Sequence, residues 1–316
     1  MNLVSVQDVE DAARRLHDIA WETPVVPCDT LKDHPGWKIL VKAENLQNTG
    51  SFKVRGAANA LLARQERNEK IRSLVTYSAG NHGAGAAYAG SRLGIEVTVC
   101  MPTWSVPAKV DAVRRYGGSV IFTDDLLNKT RTLAAEADAA MLHPFDDRDV
   151  IAGQGTIALE LLRQVPNPDA VVIPVGGGGL ISGLGTVLAK LSPDTQIIGV
   201  EPMDASSMTH ALAVGAPASL PIPVRSVADG LTAPAAGEIT FEHARRYIDQ
   251  MIQVSEQEIM DAWSLMLSAT RLFVEPSAAT TLAALRSGRL ELPDRATVVL
   301  IATGGNAALD TPELRT

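Results

Sequence analysis

The 316-residue chain reads as an α/β protein whose strands lie parallel in sheets covered by helices. Three observations carry this reading. Short β-rich runs alternate with helical runs from about residue 71, the order expected of crossover units. The second half of the chain repeats the alternation. Three strand runs, "SLVTY", "AVVIPV" and "ATVVLIAT", are each followed at once by a polar or glycine-rich loop. Doubly wound sheets place their ligands there, outside the carboxyl ends of the strands.

Taken in order, Ser51 is the expected N-cap of a helix through "FKVRGAANALLARQER". "SLVTY" (73–77) is a strand, and the Gly/Ala-rich "GNHGAGAAYAGSRLG" is a helix that ends at Gly94. "IEVTVCM" (95–101) is the next strand. Pro107 then opens a helix at the position where proline costs least. Gly117 and Gly118 break it, "SVIFTD" is a strand, and "LLNKTRTLAAEADAA" is helical. In the second half, "IALELLRQV" is a helix, "AVVIPV" a strand, "LISGLGTVLAKL" a helix and "QIIGVE" a strand. Residues 215–236 form a looser, proline-containing stretch. Ser255 and Glu258 make a capping box at the start of "SEQEIMDAWSLMLSATRLF". "SAATTLAALRSG" is a short helix ending at Gly288, and "ATVVLIAT" (296–303) is the last buried strand. The charged "DDRD" at 146–149 reads as a solvated loop near a domain boundary.

Composition narrows the function. Lys and Arg total 28 against 36 Asp and Glu, a net charge of -8, which argues against nucleic acid or an anionic membrane as partner. Cys28 and Cys100 lack metal-type spacing and suit a reducing compartment. The N-terminus has no basic segment followed by an apolar core, so no secretory signal is expected and the location is read as cytoplasmic. Residues 170–189 are uncharged and of membrane-spanning length, but four central glycines make strand, loop and helix start the better reading. The four tryptophans read as packing residues, and His143 shows no paired ligand spacing.

Two segments carry chemistry. Strand, Gly176 to Gly179, then helix is the order in which bare backbone amides and a helix start hold a phosphate. The run matches neither the dinucleotide fingerprint nor the Walker pattern, since Leu184 stands where the latter needs lysine. Lys53 sits in the first helical turn of its segment, where a cation faces the positive end of the dipole. Read alone, it is either an ordinary surface cation or an amine that deprotonates easily. A phosphate cradle and an activatable lysine on one α/β chain suggest an aldehyde cofactor that carries a phosphate, such as pyridoxal phosphate.

At this point the chain resembles the threonine dehydratase and serine racemase family of pyridoxal-phosphate enzymes, of the tryptophan-synthase-β-like fold type II. The resemblance lies in "ENLQNTGSFKVRGA", "SAGNHG", "VIAGQGTIALEL", "PVGGGGLISG", "GVEP", "VADGL", "EPSAA" and "TGGN", in order from residue 44 to residue 306. It implies two doubly wound parallel-sheet domains with the cofactor site between them. Residues 1–70 and 147–316 would form the large cofactor-binding domain, and 71–146 a small mobile one that closes over substrate. Lys53 matches the Schiff-base lysine and Phe52 the residue packed beside the cofactor ring. Asn81 matches the asparagine that meets the pyridoxal 3-oxygen. Gly176, Gly177, Gly178 and Gly179 match the phosphate loop. Ser78, Ala79, Gly80, Asn81 and His82 match the clamp for the substrate carboxylate. Glu275 matches an acidic residue near the cofactor, and Thr303 the hydroxyl or thiol side chain at the pyridine nitrogen.

Two departures bear on activity. Family racemases carry a second serine at the position of Ala79, and alanine offers no proton donor for the opposite face of the substrate carbon. Family cation sites use a glutamate, a carbonyl and an aspartate. Here Glu201 and the carbonyl of Ala205 match, but Ser207 replaces the aspartate, so a divalent cation is doubtful. Thr303 cannot hold a proton on the ring nitrogen as a carboxylate would, which suits prompt β-elimination better than transamination. The expectation is an ammonia-lyase that converts a β-hydroxy amino acid, L-threonine or L-serine, to a 2-oxo acid and ammonia, acting as a homodimer. The end of the chain at Thr316 suggests the catabolic type without a regulatory domain. The alternatives are the same chemistry on 3-hydroxyaspartate, a serine racemase, or an amino-acid-binding regulatory protein that keeps the fold.

Overall fold

The computed structural model describes residues 3–28, 36–220 and 224–307. Its first half contains α1 (Val6–Leu16), β1 (Val25–Pro27), β2 (Lys38–Ala43), α2 (Lys53–Glu66), β3 (Ser73–Tyr77), α3 (Asn81–Leu93), β4 (Glu96–Met101), α4 (Pro107–Arg115), β5 (Ser119–Phe122), α5 (Leu126–Glu136) and β6 (Ala140–Leu142). The second half contains α6 (Arg148–Gln164), β7 (Ala170–Pro174), α7 (Gly179–Leu191), β8 (Gln196–Pro202), α8 (Ser207–Val214), α9 (Glu238–Tyr247), β9 (Gln250–Val254), α10 (Glu256–Thr270), α11 (Pro276–Arg286) and β10 (Thr297–Ala302). Among the described residues the strands form two sheets, ordered β1-β2-β10-β7-β8-β9 and β5-β4-β3-β6. All neighbours are parallel except the edge pair β1 and β2. The protein is therefore a two-domain α/β structure with parallel sheets, as the alternation of elements predicts.

Local chemistry sets the expected boundaries. Glycine at 94 adopts a left-handed conformation (φ 68°) and closes α3, while Pro107 occupies the first turn of α4. Ser255 Oγ accepts from the Glu258 amide and the Glu258 carboxylate accepts from the Ser255 amide, so the capping box starts α10. Strands β7 and β10 are buried on both faces, which explains their unbroken apolar runs.

Several boundaries differ. Phe52, not Ser51, is the N-cap residue of α2; Ser51 instead bridges to Gly304. Helix α5 ends at Glu136, and 140–142 pair with β3 as a further strand. Helix α6 starts at Arg148, nine residues before the expected helix at 157. Its Gly153 and Gly155 are close-approach positions. A Cβ on Gly153 would lie 2.5 Å from the Arg55 carbonyl, and one on Gly155 2.9 Å from the Gly183 carbonyl. The "DDRD" segment is structural. Asp147 caps α6, and Asp146 accepts from the Glu238, Ile239 and Thr240 amides at the start of α9. Asp149 pairs with Arg67 at 2.8 Å. Trp263 is buried as expected, whereas Trp21 and Trp104 are exposed.

Helix α2 lies at the junction of the two sheets. Val54, Ala57, Ala58 and Leu61 join the core of the small sheet with Leu74, Val99 and Val113. On that side Gly85 of α3 would place a Cβ 2.9 Å from the Val54 amide, and on the other Gly153 of α6 meets α2 backbone. A buried ion cluster completes the clamp. Arg55 donates to both oxygens of Glu44 at 2.8 Å, and to Glu160 at 2.6 and 3.0 Å. Lys42 reaches Glu160 and the Thr23 carbonyl, each at 2.7 Å. Burial works to raise the Glu160 carboxyl, but Arg55 and Lys42 hold it below the usual carboxylate range.

Candidate active site

Lys53 begins α2, with its amine 3.3 Å from the Pro144 carbonyl and 5.1 Å from the centre of the Phe52 ring. Burial pushes its pKa down to about 8, with Glu275 opposing the shift. A larger share of the amine is therefore neutral near physiological pH than in a solvated lysine. Three loops from the ends of β2, β10 and the region before α11 are stitched around this residue. The Phe52 amide donates to the Thr303 carbonyl at 3.1 Å, the Gly305 amide to Gly50, and the Glu275 amide to Gly304. A Cβ on Gly304 would lie 2.5 Å from Glu275 Oε1 and 3.1 Å from Ser51 Cβ, so a side chain there would displace the Glu275 carboxylate.

The "SAGNHG" loop follows β3, and Asn81 opens α3. Ser78 Oγ accepts from the Gly80 amide at 2.9 Å. The Asn81 amide nitrogen donates to Glu275 Oε1 at 2.6 Å, and its oxygen accepts from Asn306 at 2.9 Å. Thr76 Oγ1 donates to the Leu142 carbonyl at 2.7 Å, so it accepts from His82 Nε2 at 3.0 Å. His82 Nδ1 thus carries a lone pair. Burial, reinforced by Lys53 and His143, holds the His82 pKa well below its ordinary value, so the ring is neutral.

The glycine run follows β7, and Gly179 begins α7. Gly178 has φ 92°, a conformation that strains any other residue. Close neighbours also forbid side chains here. A Cβ on Gly177 would sit 2.4 Å from the Phe145 ring, and one on Gly176 3.0 Å from Leu231 Cα. Thr240 donates to the Gly177 carbonyl at 2.7 Å and fixes the turn. Phe145 follows Pro144, so one short segment joins the lysine amine to the glycine cradle.

The buried polar atoms without a hydrogen-bond partner among the described residues include Ser51 Oγ, His82 Nδ1, Glu275 Oε2 and Thr303 Oγ1. A folded protein seldom leaves such atoms unsatisfied, and these four belong to the loops around Lys53. With a bare amide cradle and a part-neutral amine, they fit a cofactor with an aldehyde, a ring heteroatom and a phosphate.

Glu201, Ala205 and Ser207 lie behind the cradle. Glu201 accepts from the Met208 amide at 2.8 Å, and from the Thr209 amide and hydroxyl at 2.9 and 2.6 Å. It thereby caps α8, and the Met208 methyl backs Gly178. Burial pushes its pKa up to about 7 against those bonds. One carboxylate committed to a helix cap is a poor donor set for calcium or magnesium. No group of three or more His, Cys, Asp or Glu side chains suited to a metal occurs among the described residues.

The sequence pattern missed several residues of this site. Asn306 and Asp229 lie within quoted segments but carried no assigned role, and Phe145 and His143 had no motif. Lys109 had a legible signal. It is a cation in the first turn of α4, the same unfavourable seat that singles out Lys53.

Fold and site together define an α/β enzyme built to hold a phosphate-bearing carbonyl cofactor beside a lysine. Residues 16–304 match the family described as pyridoxal-phosphate dependent enzyme, and the chain belongs to that family. It is 37% identical to an L-threo-3-hydroxyaspartate ammonia-lyase of Pseudomonas sp, over 98% of both chains. It is 36% identical to a serine racemase of Dictyostelium discoideum, over 98% of this chain and 97% of that one. The structure superposes on a T.th. threonine deaminase with a TM-score of 0.90 and 40% identity, covering 97% of this chain and all of that one. No helix among the described residues is long and apolar enough to cross a membrane.

Proposed function

We propose that this chain is an ammonia-lyase that eliminates the β-hydroxyl of L-threonine or L-serine and yields a 2-oxo acid and ammonia. The observation that carries the reading is the Lys53 amine, poised near neutrality beside a bare amide cradle, in a site where Ala79 offers no second proton donor. Pyridoxal phosphate supplies an aldehyde for the substrate amine and a ring that accepts electron density from the α-carbon. The amides of Gly176 to Gly179 and the start of α7 would hold its phosphate. Lys53, once freed, takes the α-proton as general base. The amides from Ser78 to His82, at the start of α3, receive the substrate carboxylate. Thr303 would meet the ring nitrogen with a neutral hydroxyl, and Asn81 the ring oxygen.

A second reading keeps the chemistry on 3-hydroxyaspartate and is favoured by the 37% identity to a lyase for that substrate. Racemisation is disfavoured by Ala79. We infer further that the protein is a cytoplasmic homodimer, that residues 71–146 move as a unit against 1–70 and 147–316, and that turnover needs no divalent cation. Purified protein loaded with pyridoxal phosphate should be given both enantiomers of threonine, serine and 3-hydroxyaspartate, with magnesium or with a chelator. Release of 2-oxo acid from L-threonine or L-serine, unchanged by the chelator, is expected. A cofactor band with no 2-oxo acid from any of them would turn the reading to a binding protein.

A further inference from the structure

Lys109 is almost fully buried, at 5% exposure. Its stem lies on the "SAGNHG" loop, where a Cβ on Gly80 would sit 2.4 Å from Lys109 Cδ. Its ammonium donates to both oxygens of Asp229 at 2.7 and 2.6 Å, and stands 3.7 Å from Glu275 Oε2. The other oxygen of Glu275 accepts from Asn81. Asn306 spends one amide hydrogen on the Thr49 carbonyl and the other on Asn81 Oδ1. The Asn81 amide is therefore oriented from both sides, with one N–H on Glu275 and its second N–H left to donate elsewhere. Asn81 and Lys109 belong to helices beside the small sheet, whereas Asp229, at the start of a 3-10 turn, and Glu275 and Asn306, in loops, belong to the large one. The chain of contacts is complete only when the two halves stand as they do here.

We propose that Lys109 is a positioning residue: anchored by Asp229 and seated on Gly80, it holds the Glu275 carboxylate so that Glu275 aims the Asn81 amide at the cofactor ring oxygen. This rests on the reading that Asn81 meets that oxygen. The electrostatics agree with the geometry. Burial raises the Glu275 carboxyl, and Lys109 is the leading group that opposes it, with Asp229, Asn81 and Lys53 also facing it. Without the ammonium, Glu275 would be a buried carboxylate with no cation on its Oε2 side, and such a group takes up a proton or turns away.

The test compares Lys109→Met, Lys109→Arg, Asp229→Asn and Asn81→Ala, each loaded with pyridoxal phosphate. The readouts are the visible absorption band, its pH titration, and the separate effects on kcat and KM. Lys109→Met should move the titration midpoint by about one unit, in the same direction as Asn81→Ala. It should also lower kcat roughly 10- to 100-fold while KM changes little, because methionine keeps an unbranched stem on Gly80 and so the backing of the carboxylate clamp. Lys109→Arg should recover part of both effects, and Asp229→Asn should reproduce them in weaker form without deleting the lysine. If Asn81→Ala moves the band while Lys109→Met and Asp229→Asn leave it at the wild-type position, the positioning role is overturned. If Asn81→Ala also leaves the band unmoved, the placement of Asn81 at the ring oxygen fails, and this inference fails with it.

Discussion

Lys53 and Arg55 are two residues apart on one helix and face opposite electrostatic worlds. Around Arg55, each buried charge has a partner: Glu44 and Glu160 share the guanidinium, and Lys42 takes up the remaining Glu160 contact. Around Lys53, the buried hydroxyls of Ser51 and Thr303 and one nitrogen of His82 lack hydrogen-bond partners among the described residues, and one oxygen of Glu275 has only the Lys109 ammonium, 3.7 Å away. The difference teaches how the two regions divide the work. The paired cluster fixes the backbone of α2 against α6 and β2. The unpaired groups are left for a ligand to satisfy.

That contrast can be broken from either side. The largest effect is expected at Lys53. Lys53→Ala should lower 2-oxo acid release by roughly 10³-fold or more, with the far-UV circular dichroism of the folded protein unchanged. On the paired side, Arg55→Met leaves Glu44 buried without its cation and Glu160 with Lys42 alone, and should cost about 3–5 kcal/mol in urea unfolding. An intermediate effect tests the cradle. Gly177→Ala drives a methyl into the Phe145 ring, and should weaken pyridoxal phosphate retention at equilibrium dialysis by at least ~10-fold, the loss of one good contact.

A pH measurement sharpens the comparison. Folding lowers the Lys53 pKa from 10.5 to about 8, so the unfolded chain binds more protons between those values. Lys53 therefore costs the cofactor-free protein stability in full below pH 8, and the cost fades as pH rises to 10.5. Lys53→Met should stabilise the cofactor-free protein at about pH 7 and lose that advantage by about pH 10, as urea unfolding at the two values would show. The smallest effect is expected at Thr303. Its hydroxyl has no hydrogen-bond partner among the described residues, so Thr303→Val should shift cofactor-free stability by less than about 1 kcal/mol. The loaded protein should nevertheless differ from wild type in its visible band.

Much of this was legible in the chain. Strands β3, β4, β7, β8 and β10 are short apolar runs because parallel strands are buried on both faces. The glycines at 176–179 and the lysine at 53 stand out because each is unfavourable in its local setting. Other features were hidden for physical reasons. Strand β2 carries the buried Lys42, and β9 is half polar, so neither shows a run. Gly153 and Gly155 resemble helix breakers in isolation, yet they lie inside α6 because α2 and α7 approach its backbone closely there. The aspartates of "DDRD" look solvated until the helix starts they cap are in place.

By itself, then, the sequence determined the class of fold, the candidate lysine and the glycine cradle, since these depend on local periodicity and on residues whose cost is visible in place. Only the tertiary structure decided which charges are paired. Lys109 and Asp229 are 120 residues apart, and Arg55 and Glu160 are 105 apart. Contacts of that separation are selected by how the two sheets pack around α2, and no local pattern records them. The same packing turns one helix-start lysine into a part-neutral amine and leaves the other a buried, fully charged anchor.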